Sequence, residues 1–172
     1  MITRKEKDSH KIWKNDIFTV EAIIDQTLWD QKIINDFQKN LDQTLNQIYK
    51  KSDLINTNKK KIVSLSFAGD HKIMKLNNFY RKINLPTNVL SFPSLTERNN
   101  EVFLGDIIFA GETILREAKR DKKEVNNHLI HLFIHSVLHL LGYNHQTHDK
   151  ARIMERLEIK ILETLKIDNP YE

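Results

Sequence analysis

The segment from Leu129 to Leu141, LIHLFIHSVLHLL, constrains the fold more than any other part of the chain. Its apolar residues fall on almost every side of a helix, so burying one face alone does not satisfy it. As a helix it would span only ~20 Å, short of the ~30 Å core of a bilayer. It therefore belongs inside a protein core with other elements packed around it. A chain of 172 residues can supply that shell as one domain, because a domain of this size buries roughly 70% of its unfolded surface. Three histidines, His131, His135 and His139, interrupt the apolar run. Imidazoles buried in such a helix are costly without partners, so the run also raises the question of what they bind.

Around this helix, which the pattern extends over Val125–Leu141, strands and helices interleave. Phe18, Val20, Ala22 and Ile24 alternate with polar residues as in a half-buried strand, and Val63, Leu65 and Phe67 do the same. Val89–Phe92 reads as a short strand stopped by Pro93, with a polar turn over 94–100, and Val102–Ala110 as a strand covered on both faces. Ile33, Ile34, Phe37, Leu41, Leu45 and Ile48 recur at helical steps, and further helices are expected from Asp70, from Gly111 to about Lys123, and from about Thr147. The fold expected is α+β and α/β-like: one mixed sheet of about four strands packed by about five helices. Residues 1–15 carry charges without apolar periodicity and read as a flexible arm ahead of a single domain over 16–168.

The chain lacks cysteine, which excludes disulfides, thiolate metal sites and cysteine nucleophiles and suits a reducing compartment. Its beginning, MITRKEKDSHK, has no hydrophobic signal segment, so the expected location is cytoplasmic, with no membrane partner. The net charge of +4 permits a polyanionic partner without requiring one. Two clusters concentrate the positive charge: Lys50, Lys51, Lys59, Lys60 and Lys61 beside a polar loop, and Arg116, Lys119, Arg120, Lys122 and Lys123.

The chemistry gathers in HLFIHSVLHLLGYNH. His135 and His139 are one helical turn apart, which brings their side chains to one face. Gly142 stands where a helix ends in a left-handed residue, letting the chain double back and bring His145 toward the same point. Three neutral imidazoles fill three positions of a tetrahedral zinc site and leave the fourth open, as catalytic sites do. His131 and His128 lie on the same helix and read as supporting donors or surface, while His148, His10 and His71 have no role.

The spacing is that of zinc peptidases with an H-E-x-x-H-x-x-G-x-x-H motif, but their general base falls on Ser136, whose hydroxyl is no base at neutral pH. A divalent metal still activates water without a protein base, and attack on phosphorus becomes feasible where cations neutralise developing charge. Arg81, ahead of a proline-pinned turn, is a candidate for that role. On residue type alone it reads first as a surface arginine capping a helix end.

HSVLHLLGYNH closely resembles the HGxLHLxGYDH signature of the YbeY family of bacterial metal-dependent endoribonucleases and rRNA maturation factors. NNFYRKINLPTNVLSFP resembles the family's N-x-x-y-R…PTDVLSFP segment, and LGDI at Leu104–Ile107 its next strand. The resemblance runs from about Phe18 to Lys166. It implies a single-strand-specific endoribonuclease that matures the 3′ end of 16S rRNA and acts in ribosome biogenesis and quality control. The implied partners are single-stranded rRNA and the ribosomal small subunit. It also implies one Zn2+ per chain on His135, His139 and His145, and a functional arginine at Arg81. The basic clusters then become candidate RNA contacts. Asn88, Asn144 and Ser136 replace the family's usual Asp, Asp and Gly, and Asp106 is a candidate substitute carboxylate. The competing expectations are a non-enzymatic, zinc-braced ribosome-assembly factor and a metallopeptidase.

Overall fold

The computed structural model describes residues 8–52 and 58–172. Among them run, in chain order, β1 (Asp8–Lys14), β2 (Phe18–Asp25), α1 (Gln31–Lys51), β3 (Lys60–Ala68), α2 (Asp70–Arg81), β4 (Val89–Arg98), β5 (Glu101–Ala110), α3 (Gly111–Arg120), α4 (Val125–Leu140) and α5 (His148–Thr164). The strands form one mixed sheet in the order β1-β2-β3-β5-β4. Its centre, β2-β3-β5, is parallel, and β1 and β4 close the two edges antiparallel. The α+β class and mixed sheet match the sequence expectation, with five strands in place of about four.

The extra strand corrects the reading of residues 1–15 as an arm. Residues 8–14 pair along their whole length with β2, while residues 1–7 lie outside the described residues, as does part of the polar loop expected between Lys50 and Lys61. The strand escaped notice because its inward face is Ser9, Lys11 and Trp13, with a single apolar anchor. Trp13 packs on Phe37 and Phe67 at ring-centroid distances of 6.0 and 6.3 Å. Trp13→Ala is therefore expected to lower unfolding stability by about 2 kcal/mol, read as a lower urea midpoint. A true arm would show no change.

The turn expected over 94–100 is likewise shorter. β4 continues through Pro93 to Arg98, with a register shift between Pro93 and Thr96 and a left-handed residue at Leu95 (φ 51°). An edge strand tolerates the missing proline N–H, and a bulge absorbs the irregularity.

α1 and α4 pack on one face of the sheet, where Phe37, Phe67, Phe109 and Phe133 interlock edge to face. α2 covers the other face near β4 and β5, through Ile73 against Leu90 and Ala110. α4 is enclosed as its composition requires: its apolar residues from Leu129 to Leu140 are all buried. Only the side of α4 carrying its spaced histidines reaches a cleft between β4 and α5.

Candidate metal centre

α4 ends with the chain folding back on itself. The Gly142 and Tyr143 N–H groups donate to the His139 and Leu138 carbonyls at 3.0 Å each, with Gly142 left-handed at φ 99°. Asn144 then shapes the return: its Oδ1 accepts from the Gln146 N–H at 3.0 Å. Its Nδ2 also donates to the Gly142 carbonyl at 3.4 Å, a contact that an aspartate lacks. The result brings His145 to the helix face of His135 and His139, with one ring nitrogen from each lying within 4.8 Å of the others.

The remaining ring nitrogens fix how those histidines point. His135 Nδ1 donates to Glu158 Oε1 at 2.8 Å, and His139 Nδ1 to the Tyr143 carbonyl at 2.9 Å. A carbonyl can only accept, so His139 carries its proton on Nδ1. Burial, reinforced by the neighbouring His135, pushes the His139 pKa down, so the ring stays neutral. In neutral rings both Nε2 atoms present lone pairs, and they face each other at 3.1 Å. Two lone pairs at that distance repel unless a proton or a metal cation lies between them. This donor set, neutral imidazoles oriented by outer hydrogen bonds, suits a divalent metal such as zinc.

Glu158 on α5 is the main site residue the sequence reading missed. It is fully buried, and it accepts from His135, from His131 Nε2 at 3.1 Å, and from the Tyr171 hydroxyl. Burial pushes its carboxyl up, but hydrogen bonds from His131, His135 and Tyr171 outweigh that and hold it down at about 2. Burial and the bond to Glu158 push the Tyr171 phenol up, so it remains a donor. A signal for Glu158 was present, since it sits within the apolar stripe of α5, between Leu157 and Ile161. Tyr171 carried no such signal, and it lies beyond residue 168, where the sequence reading ended the domain. His131 is committed to Glu158, and His128 is buried on Glu117 at 2.8 Å. Neither joins the cluster.

The three histidines line a cavity of about 650 Å3 together with Arg81, Asn88 and Tyr171. Arg81 is the last residue of α2, beside a left-handed cap at Lys82 (φ 59°). The structure thus brings the arginine and the histidines, far apart in sequence, to one cleft. Asn88 donates to Glu117 Oε2 at 2.9 Å, an oxygen already engaged by His128. An aspartate there would repel that carboxylate, so asparagine fits its surroundings. Asp106 is half-buried on β5 and does not line the cavity; with Ile108 it faces the α2 side of the sheet. Ser136 is fully buried and its hydroxyl has no partner among the described residues. It stands away from the cavity and takes no part there.

The basic clusters separate into different roles. Lys61 is buried with its ammonium 5.2 Å from the Tyr49 ring centroid. Arg120 is paired with Asp121, and Arg116 reaches Thr113 and Asp70. His148 opens α5 exposed, and His10 and His71 are exposed elsewhere.

Comparison with known proteins identifies the family. The family described as Endoribonuclease YbeY matches residues 23–166. The chain is 38% identical over 160 residues to the endoribonuclease YbeY of Bartonella quintana, covering 90% of this chain and 98% of that protein. It is 46% identical over 113 residues to that of Rhizobium etli, covering 64% and 66%. Its fold is similar to the solution structure of TM1509 from Thermotoga maritima, with a TM-score of 0.53 at 20% identity over 86% of this chain and 91% of that one. Sequence motifs, sheet topology and relatives converge, and the chain belongs to the YbeY endoribonuclease family.

Proposed function

We propose that this chain is a zinc-dependent endoribonuclease of single-stranded RNA, built on residues 16–168 with Tyr171 closing the site. On this reading it matures the 3′ end of 16S rRNA, partners the ribosomal small subunit in biogenesis and quality control, and works in the cytoplasm. The observation that carries the reading is the convergence of His135, His139 and His145 ring nitrogens in a cleft that also contains Arg81. The relatives' naming as endoribonucleases supports RNA as the substrate class. No helix among the described residues is long and apolar enough to cross a membrane.

His135, His139 and His145 would hold the ion. A divalent cation so held supplies Lewis acidity toward phosphate and water. Arg81 binds a non-bridging phosphate oxygen and neutralises the charge that grows as the nucleophile adds and the ribose oxygen leaves. Glu158 keeps His135 in the tautomer that presents Nε2, and the Tyr143 carbonyl does the same for His139. The buried Ser136 offers no base, which argues against peptidase chemistry.

Elemental analysis of the purified protein is expected to give one zinc per chain, and chelation to abolish cleavage of single-stranded RNA. Arg81→Glu is expected to retain zinc and lose about 100-fold in cleavage rate. Product ends identify the nucleophile: a 2′,3′-cyclic phosphate marks the ribose 2′-hydroxyl, a 5′-phosphate marks water. A chain that melts on chelation and never cleaves RNA would instead be a zinc-braced assembly factor.

A further inference from the structure

The end of α2 exposes aromatic surface that a solitary domain has no reason to show. Phe79 is 69% and Tyr80 60% exposed. The rings nonetheless rest on neighbours. Phe79 meets Tyr80 edge-on at 4.9 Å, and Tyr80 rests on Phe92 at 4.8 Å. Phe92 belongs to β4, whose neighbouring residues Ser91 and Pro93 line the metal cavity from the strand's other side. The buried Asn77 amide holds the following loop by donating to the Leu85 carbonyl at 2.8 Å. Two cations continue the chain: Arg81 lines the cavity, and the Lys82 ammonium lies 5.8 Å from the Phe79 ring centroid.

We propose that Phe79 and Tyr80 form a ledge on which unpaired nucleobases stack, for an RNA strand whose phosphate lies at Arg81. The proposal rests on the RNA-cleaving reading and adds to it the source of single-strand preference. Aromatic faces stack any base, but only a base whose own face is free. Duplex RNA keeps those faces buried. β4 is the edge of the sheet, so a strand leaving the cavity can pass around that edge onto the ledge. The bordering Arg81 and Lys82 match a polyanion better than an apolar protein surface. Rings held in advance lose little freedom on binding, which favours a contact that must form repeatedly.

The test measures the affinity of the full-length, metal-loaded protein for a single-stranded 2′-O-methyl oligouridine and for a matched duplex, at fixed salt. Phe79→Ala is expected to weaken single-strand binding about 10-fold and leave duplex binding unchanged. Phe79→Leu, which keeps apolar area without a π face, should lose nearly as much, and Phe79→Trp should restore affinity. Ile12→Ser, at the opposite edge of the sheet and 60% exposed, should change nothing. Wild-type affinity in Phe79→Ala or Phe79→Leu overturns the ledge, as does a changed self-association in Phe79→Ala with RNA affinity intact. If those variants bind as wild type while Arg81→Glu still stops cleavage, only the ledge fails. A wild-type protein that neither binds nor cleaves RNA removes the endoribonuclease reading and the ledge together.

Discussion

Glu158→Leu is expected to bind zinc about 100-fold more weakly than the wild type and to unfold with about 3 kcal/mol less stability. The carboxylate is the common acceptor of His131, His135 and the Tyr171 hydroxyl, and it is wholly enclosed. Leucine fills the volume but takes the shared acceptor away from His131, His135 and the Tyr171 hydroxyl at once, and no other group at that enclosed position replaces it. His135 is then free to turn its ring or move its proton to Nε2, where it would block metal ligation. Glu158→Gln should fall between, at about a 10-fold loss, because one carbonyl oxygen remains while the amide opposes the other donors. Competition against a chromophoric chelator measures the affinities, and urea titration the stability. Tyr171→Phe removes one of the three donors and should lose less than either. Wild-type zinc affinity in Glu158→Leu would show that His135 is oriented by something other than this carboxylate.

The parts of the site that the sequence displayed were those encoded by local periodicity. His135, His139, Gly142 and His145 sit within one helix and its terminal turn, so spacing alone brings them together. The joining of Arg81 to them depends on α2 and β4 meeting across the sheet edge, which no local pattern encodes; the family resemblance supplied it. Glu158 is a charged residue on an apolar helix stripe, a detectable anomaly, but its partners lie on another helix and in the C-terminal tail. Trp13 failed to reveal β1 because an edge strand with one anchor has almost no period-two signal. Lys61 shows the limit of reading charge runs. It stands among exposed-looking lysines and yet is buried against Tyr49, because its strand position turns it inward. The asparagines at 88 and 144 look like losses of family carboxylates until their amide donors are followed, to Glu117 and to the Gly142 carbonyl. Neither contact is open to an ionised aspartate.

Gly105→Ala is expected to cost about 4 kcal/mol and to lower the melting temperature by about 10 °C. Gly105 has φ +141°, a conformation that side-chain-bearing residues rarely adopt, and a Cβ there would lie 2.1 Å from the Phe92 carbonyl oxygen. That oxygen belongs to the backbone of β4, paired here with β5, so relief requires the two strands to separate. The same Cβ would stand 3.0 Å from the Leu140 side chain at the end of α4. β4 walls the metal cavity and α4 carries His139, so damage at this glycine spreads from the sheet into the site, and zinc affinity should fall with stability. Gly142→Ala provides the contrast. Its φ of +99° is also strained, but among the described residues no atom beyond its chain neighbours lies within 4 Å of the added carbon. Only local backbone strain of about 1 kcal/mol opposes it, concentrated on the turn that delivers His145. The two variants should therefore differ in kind. Gly105→Ala loses the fold and zinc binding together, while Gly142→Ala stays folded with a modestly looser metal centre. Equal melting temperatures for Gly105→Ala and the wild type would mean that β4 and β5 are not held this closely, and that the cavity wall is set by other contacts.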